Sequence, residues 1–233
     1  MKLGIFTDPH YLTENFNQYT AGYYKSLDKI KEALKFFCDE KCDMVICLGD
    51  VIDTEKTHEK EVENLKEVIA ELDKYDMKIS IVMGNHDAFT FEVDEYYKLI
   101  GEKYRPENFF SDGLNFIFVD ACYFKNGTHY MPGDTAWEDT FYPHTKKLKE
   151  TLSEAKGDTY IFMHQNIDPE IDDADYILAN AEEIRQILED SGKVKAVFQG
   201  HYHWGKETLH NNIRYVSFKA MSDYDDAYCI EIL

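Results

Sequence analysis

Short apolar runs alternate with longer amphipathic segments along most of this chain. Runs rich in Ile, Val, Phe and Met predict β-strands, and the earliest of them lack a polar alternation, so we expect them to be buried on both faces. The runs occupy residues 2–7, 44–48, 78–83, 115–120, 159–163, 194–199, 213–218 and 227–233.

Three of the intervening segments have the period of an amphipathic helix. Apolar residues recur every three or four positions within 24–37, 62–72 and 177–188. The first half therefore predicts a β-α-β-α-β order, which is typical of an α/β fold with parallel strands. The last two runs have no helix between them, and this predicts either a mixed sheet or a second, more antiparallel sheet.

Residues 121–143 interrupt the alternation. The segment contains glycine and proline among the aromatic side chains of Tyr123, Phe124, Tyr130, Trp137, Phe141 and Tyr142. We expect one domain spanning residues 1–233 with this segment as an inserted loop. Two interpretations stay open: a lid or wall over the substrate, or a loop whose aromatic side chains pack on their own domain.

Charge and composition narrow the partners and the compartment. The net charge of −20 repels phosphate backbones, so a nucleic acid is not the expected partner. The densest basic run, Lys146, Lys147 and Lys149, has the pattern of a solvated helix face. No apolar run approaches the roughly 20 residues of a membrane span. The chain opens on a predicted strand and not on a signal peptide, and its five cysteines are odd in number, so we expect a cytoplasmic protein with reduced thiols.

Five of the predicted strands are followed by segments that carry Asp, Asn and His. Loops at the carboxyl ends of strands are where an open α/β sheet gathers its functional groups, so we expect these segments to converge. In extended backbone, residues two apart point the same way, and Asp8 with His10, or His201 with His203, would present paired ligands. The segments are Asp8-Pro9-His10, Gly49-Asp50-Val51-Ile52-Asp53, Gly84-Asn85-His86-Asp87, His164 and Gly200-His201-Tyr202-His203.

The donor types in these segments indicate catalytic metal ions. Carboxylates, imidazoles and an amide without any cysteine disfavour a structural zinc site and suit Mn, Fe or Zn in a catalytic centre. The sequence therefore predicts two divalent metal ions. A carboxylate between the two ions would bridge them, and a bridging water with a lowered pKa would act as the nucleophile. Phosphoryl transfer suits this chemistry.

Single residues of this set also have plainer interpretations. His164 alone fits a buried structural imidazole, and Asp50 and Asp53 fit an N-cap and a first-turn acid of the helix that follows them. The histidines outside the five segments are interpreted as surface residues, and among them His129 is a candidate substrate contact because it lies in the aromatic segment. They are His58, His129, His144 and His210.

Taken together, the five segments resemble those of the calcineurin-like metallophosphoesterases, from Asp8 to His203. The resemblance implies a four-layer α/β/β/α sandwich of two mixed sheets with a two-metal site at one end. One ion would be held by Asp8, His10, Asp50 and His203, and the other by Asp50, Asn85, His164 and His201. It also implies that His86 contacts the scissile phosphate and protonates the leaving oxygen, while Asp53 orients His86 and favours its acid form.

Departures from the wider family narrow the expected function. Thr54 stands where protein Ser/Thr phosphatases have Arg-Gly, and Asp53 stands where purple acid phosphatases have a metal-binding tyrosine. What remains resembles the cyclic-nucleotide and glycerophosphodiester phosphodiesterases. Residues 23–27 and 89–91 are also similar to those of the manganese-dependent ADP-ribose/CDP-alcohol diphosphatases, although the tyrosines at 23 and 24 also fit the start of an amphipathic helix.

We therefore expect a phosphoesterase that hydrolyses a small phosphodiester or a nucleoside diphosphate-linked compound by attack of a metal-bridging hydroxide. The alternatives are a phosphomonoesterase on a small metabolite, a DNA-processing nuclease of the same superfamily, and a catalytically silent metal-binding scaffold. The expected substrate contacts are Asn85, His86, Phe89, Tyr11 and His129.

Overall fold

The computed structural model describes residues 1–133 and 141–233, and these form two β-sheets with helices around them. The strands are β1 (Lys2–Phe6), β2 (Met44–Cys47), β3 (Ile79–Ile81), β4 (Phe109–Ser111), β5 (Leu114–Val119), β6 (Thr159–Met163), β7 (Val194–Gln199), β8 (Trp204–His210), β9 (Ile213–Lys219) and β10 (Tyr228–Ile232). The helices are α1 (Ser26–Asp39), α2 (His58–Leu72), α3 (Asn85–Thr90), α4 (Val93–Ile100), α5 (Thr145–Glu154) and α6 (Ala181–Ser191), with 3₁₀ turns at Tyr23–Lys25 and Glu102–Tyr104.

Both sheets are mixed, as predicted. The first has the order β10-β1-β2-β3, in which β1, β2 and β3 are parallel and β10 runs antiparallel to β1. The second has the order β4-β5-β6-β7-β9-β8, with parallel β5, β6, β7 and β9 and an antiparallel strand at each edge. The last two predicted strands are therefore found, but β9 joins the second sheet and β10 joins the first.

The core has three layers: one lies between the two sheets, and the other two lie between each sheet and the helices that cover it. Leu3 and Ile5 of β1 and Ile46 of β2 face Phe162 and Phe198 of the second sheet, so the two sheets pack face to face. The opposite faces of the strands pack on the helices, through side chains such as those of Phe37 on α1, Leu65 on α2, Leu152 on α5 and Leu188 on α6. The order of layers is thus helix, sheet, sheet, helix, and it confirms the predicted four-layer sandwich.

The two sheets are joined by backbone hydrogen bonds at one end. The Met221 N–H donates to the Thr7 carbonyl at 3.0 Å, and the Ser222 N–H donates to the Asp8 carbonyl at 3.0 Å, which ties the loop after β9 to the loop after β1. Because the parallel strands of both sheets end here, the five candidate segments are brought to one edge of the sandwich.

The aromatic segment is only partly described. Residues 134–140, with Trp137, lie outside the described residues. Tyr130 and Phe141 are buried with their ring centroids 5.5 Å apart, and Phe124 lies 5.3 Å from Tyr130. These three aromatic side chains pack on the rest of the protein, while the role of the segment as a lid stays a prediction. Across residues 1–133 and 141–233, no helix has the length and apolar character that crossing a membrane requires.

Candidate metal centre

The first two candidate ligands lie in a tight loop after β1. Asp8 and His10 adopt left-handed backbone conformations, with φ of 51° and 46°, so the prediction of an extended segment is wrong. The reason is that the loop wraps around the one after β2: the Asp8 N–H donates to the Gly49 carbonyl at 3.0 Å and the His10 N–H to the Asp50 carbonyl at 2.9 Å. The two side chains still meet, with His10 Nε2 lying 3.7 Å from Asp8 Oδ1.

Asp50 lies at the middle of the centre. Its side chain is 1% exposed, its Oδ1 accepts a hydrogen bond from the His86 N–H at 2.8 Å, and its Oδ2 lies 3.0 Å from His164 Nε2 and 3.5 Å from His10 Nε2. Helix α2 begins only at His58 and is capped by Thr57. The interpretation of Asp50 and Asp53 as helix-capping residues is therefore wrong.

His164 and His201 form one ligand group with Asp50. Ligand atoms of the three residues lie within 4.8 Å of one another. The Nδ1 of His164 donates to the Leu48 carbonyl at 2.8 Å, which directs Nε2 to Asp50. The Nε2 of His201 donates to the Asp175 carbonyl at 3.0 Å, which leaves Nδ1 as the candidate ligand atom. Backbone carbonyls thus set the orientation of both rings.

His203 forms a second ligand group with Asp8 and His10. Ligand atoms of these three residues also lie within 4.8 Å of one another, and His203 Nε2 is 3.6 Å from Asp8 Oδ1. The other ring nitrogen, Nδ1, is bonded to Asp223 Oδ2 at 2.7 Å. A carboxylate in this position fixes the orientation of a metal-binding imidazole.

Unpaired buried polar atoms test whether these residues fit metal ions. Nearly all buried polar atoms in folded proteins have a hydrogen-bond partner. Within the described part of the chain, four residues of the centre have polar atoms without a hydrogen bond at one place: both ring nitrogens of His10, Oδ2 of Asp50, both amide atoms of Asn85 and Nε2 of His164. The 3.0 Å contact between Asp50 Oδ2 and His164 Nε2 does not have hydrogen-bond geometry. Metal ions are the partners that such a set of oxygen and nitrogen donors fits.

His86 and Asp53 lie next to these groups. The Nδ1 of His86 is 3.2 Å from Asp53 Oδ1, and Asp53 Oδ2 is 3.6 Å from His10 Nδ1. His86 is 30% exposed, whereas His10 and Asp50 are buried. The structure therefore brings the predicted His86–Asp53 pair together at the solvent side of the centre.

Comparison with known families decides what kind of protein carries this centre. The sequence matches the family model of the calcineurin-like phosphoesterases over residues 1–205. This chain belongs to that family. The phosphoesterase is a metal-dependent hydrolase of phosphoric ester bonds. Among curated proteins, the sequence has no match.

Solved structures of low sequence identity share the fold of this phosphoesterase. A dimetal phosphatase from Danio rerio is similar at a TM-score of 0.78 and 18% identity, over 100% of this chain and 92% of the other. A phosphopantetheinyl hydrolase from Mycobacterium tuberculosis is similar at a TM-score of 0.55 and 12% identity, over 94% of this chain and 90% of the other. A calcineurin-like phosphoesterase from Bacillus subtilis is similar at a TM-score of 0.58 and 11% identity, over 99% of this chain and 83% of the other.

The carboxylates and imidazoles of the phosphoesterase centre shift one another's pKa values. Burial raises the pKa of the Asp8 and Asp50 carboxyls, but the nearby imidazoles, His164 first among them, outweigh burial and hold both pKa values well below the usual range. Burial lowers the pKa of His164, but Asp50 and Asp8 outweigh burial and raise it to about 9. Burial, followed by His164, lowers the pKa of His201 to about 3. The ionised carboxylates make the centre attractive to cations.

Close backbone packing holds the motif loops together. Asp87 is buried and accepts hydrogen bonds from the Val51 and Gly84 N–H groups, each at 3.0 Å. A Cβ atom on Gly84 would collide with Asp50, and one on Gly200 would collide with Thr7. Glycine is therefore required at both positions because the neighbouring loops leave no room for a side chain.

Three of the predicted substrate contacts differ in how much of their side chain is exposed to solvent. Tyr11 is buried in the core with its hydroxyl donating to Glu67 at 2.6 Å, which leaves it little surface to offer a substrate. Phe89 is half-buried on α3. His129 is also half-buried, with Nε2 3.2 Å from Asp120, so its interpretation as a surface residue is wrong. The same interpretation is confirmed for the three exposed histidines, His58, His144 and His210.

Sequence reasoning missed Asp223 and the two carbonyls that orient the histidine rings. Asp223 follows β9, which is parallel to β7, so it lies at the same edge as the motifs, and this signal was present in the sequence. The backbone carbonyls of Leu48 and Asp175 could not be recognised from the sequence, because every residue has a backbone carbonyl.

Proposed function

We propose that this phosphoesterase hydrolyses small phosphodiesters or nucleoside diphosphate-linked compounds with a pair of divalent metal ions, of which Mn, Fe and Zn fit the donors best. The observation that supports it is the pair of ligand groups, Asp8-His10-His203 and Asp50-His164-His201, lying against a half-exposed histidine.

The donors divide into two sets that share Asp50. One ion would be held by Asp8, His10, Asp50 and His203, and the other by Asp50, Asn85, His164 and His201. When bound, the metal pair would supply an activated water as nucleophile and neutralise the charge that develops on the phosphoryl group. Each set combines oxygen and nitrogen donors and contains no cysteine, which fits a catalytic site better than a structural zinc site.

His86 would hold and deliver the proton for the leaving group. Asp53 accepts from Nδ1, so the proton would be donated from Nε2 to the leaving oxygen. The backbone N–H of His86 is fixed by Asp50, and its ring lies 4.5 Å from that of His10. The position of the acid is thus set by the same residues that hold the metals.

Charge supports a small substrate. The net charge of −20 opposes the approach of a long polyanion, whereas a single phosphate group is compensated by the metal pair. The similarity to a dimetal phosphatase and to a phosphopantetheinyl hydrolase also supports a phosphoric ester as substrate, without deciding which one.

A panel of metals and substrates tests the proposal. Chelator-treated protein would be loaded with Mn, Fe, Zn or Mg and assayed on bis-p-nitrophenyl phosphate, p-nitrophenyl phosphate, cyclic nucleotides, glycerophosphodiesters and nucleoside diphosphate-linked compounds. We expect cleavage of diesters or diphosphates with a higher kcat/KM than of the monoester. Preference for the monoester would favour the phosphomonoesterase, and salt-sensitive DNA binding would favour the nuclease. Metal binding without turnover on any compound would favour the scaffold.

Substituting the shared carboxylate links metal binding to activity. Asp50→Asn should lose bound metal, measured by elemental analysis, together with activity on bis-p-nitrophenyl phosphate, because both ion sites use this residue. Asp28→Asn, which changes an exposed carboxylate on α1, serves as the matched control and should retain both. An Asp50→Asn variant with two metals and full turnover would contradict the proposal.

A further inference from the structure

Three aromatic side chains form a cluster outside the residues given a role above. The rings of Tyr176 and Tyr202 are 5.5 Å apart, those of Tyr176 and Trp204 are 5.4 Å apart, and those of Tyr202 and Trp204 are 5.1 Å apart. The planes are inclined by 63° to 87°, which is the preferred edge-to-face arrangement. Each ring is therefore supported by the other two.

The aromatic cluster is attached directly to the metal ligands. The ring of Tyr176 lies 5.5 Å from that of His201, and the carbonyl of Asp175 accepts the hydrogen bond that orients His201. Tyr202 and Trp204 flank His203 in the chain. The aromatic cluster consequently has a fixed position beside the centre, with Trp204 two ring contacts away from a metal ligand.

Trp204 presents its indole to solvent. It is 55% exposed even though two tyrosines support it. The cation–π contacts found among residues 1–133 and 141–233 all involve other rings, so no lysine or arginine of that part of the chain makes such a contact with the aromatic cluster. A supported and exposed tryptophan beside a catalytic centre is a surface on which a flat group can stack.

We propose that Trp204, supported by Tyr176 and Tyr202, stacks the nucleobase of a substrate whose phosphate lies at the metal ligands, an inference that rests on the proposed function. The shape of the aromatic cluster favours a base over a compact cation: the three rings pack edge to face against one another and do not form facing walls, whereas the exposed indole offers a flat face. Asp175, which is exposed and directly precedes Tyr176, carries a carboxylate of the acceptor type that the N–H groups of a base require. The substrate class is thus a nucleoside-containing phosphoester.

Two diesters with the same leaving group test the stacking. Thymidine 5′-monophosphate p-nitrophenyl ester carries a base, and methyl p-nitrophenyl phosphate carries none. In Trp204→Ala we expect the ratio of their KM values to rise roughly 10- to 100-fold against the base-containing ester, as loss of base stacking predicts, and Trp204→Phe to recover part of the loss. Leu209→Ala, which removes another exposed apolar side chain of β8, is the matched control and should leave the ratio unchanged.

A parallel rise in both KM values would overturn the proposal, since it would show stacking of the leaving group or a general disturbance. Fluorescence supplies a test that needs no turnover. The chain has two tryptophans, so Trp137→Phe leaves Trp204 as the only reporter. AMP should quench its emission and ribose 5-phosphate should not; equal responses would overturn the proposal. If these two esters and every compound of the substrate panel resist hydrolysis with all metals, the proposed function fails, and this quenching still decides whether Trp204 binds a base.

Discussion

At the scale of single residues, Asp50 and His86 differ in their surroundings, and the difference fits the roles proposed for them, metal ligand for Asp50 and proton donor for His86. Asp50 is buried and one of its oxygens has no hydrogen-bond partner in the described part of the chain. His86 is half-exposed, and its Nδ1 is held by Asp53. His86 also lies within a possible ligand group with His10 and Asp50, so its role as a donor requires a direct test.

His86→Ala should keep two bound metals and lose kcat by roughly 10²- to 10⁴-fold, the usual contribution of a positioned acid. Metal content by elemental analysis and kcat on bis-p-nitrophenyl phosphate are measured on the same preparation. His58→Ala, which changes an exposed histidine paired with Glu95, is the control and should retain kcat. Loss of one metal from His86→Ala would make this residue a ligand and contradict its assignment as the acid.

The sequence motifs predicted which side chains form the centre, but not the hydrogen bonds that orient them. Asp8, Asp50 and His164 could be selected because each belongs to a series of Asp, Asn and His residues that come just after predicted strands. The hydrogen bonds from His164 to Leu48 and from His201 to Asp175 end on backbone carbonyls, which no residue type reveals. The left-handed conformation of Asp8 and His10 was also hidden, because it depends on contacts with the loop after β2.

At the scale of elements, the pattern of apolar residues predicted the long helices and the strands whose residues are nearly all buried. Strands β1, β2 and β7 were predicted because nearly all of their residues are buried. Strand β8 was missed because it lies at a sheet edge with mostly exposed residues. Strand β4 was missed because none of its three residues is fully buried, whereas all three residues of β3, which was predicted, are buried. Helix α6 begins at Ala181, later than the pattern suggested, because Ile177 pairs with Asn166 in an isolated bridge.

The connection between the β2 loop and helix α3 depends on Asp87. Its replacement by alanine would leave the buried N–H groups of Val51 and Gly84 without an acceptor, and we expect a loss of about 2 to 4 kcal/mol in the free energy of unfolding, measured by urea denaturation. Burial and the nearby Asp50 raise the pKa of Asp87 to about 7, so the measurement belongs at pH 8, where the carboxylate is ionised.

Two further variants delimit this effect. Asp87→Asn keeps one acceptor and should lose less stability than Asp87→Ala. Asp76→Ala removes an exposed carboxylate near the end of α2 and should change the free energy of unfolding by less than about 0.5 kcal/mol. If Asp87→Ala were as stable as Asp76→Ala, the hydrogen bonds of Asp87 would not hold the two loops together.

At the scale of the whole molecule, the candidate ligands come from both sheets. Asp8, His10, Asp50 and Asn85 follow strands of the first sheet, and His164, His201 and His203 follow strands of the second. Ions held by all of them would link the two halves of the sandwich. Metal binding should therefore stabilise the entire fold, by an amount that grows with the ratio of metal concentration to Kd.

The stabilisation by metal should increase with pH. An imidazole binds a metal only when it is neutral, and carboxylates raise the pKa of His164 and of His203 to about 9, so protons compete with the ions below that pH. In chelator-treated protein these two raised pKa values contribute stability that is fully present below the ordinary value of 6.5 and is lost as the pH rises toward 9. As the pH rises, metal binds more tightly and the chelator-treated protein becomes less stable. Both changes increase the difference in stability between the metal-loaded and the chelator-treated protein.

Thermal unfolding at pH 6, 7 and 8 measures this difference. The rise in Tm caused by added Mn should be smallest at pH 6 and largest at pH 8, since fewer protons must leave His164 and His203 before the ions bind. Asp50→Asn, which lacks the carboxylate that we propose both ion sites share, should show a small rise at every pH. A rise that is constant with pH, or largest at pH 6, would mean that neither histidine must lose a proton for metal to bind, and both would have to be removed from the ligand sets.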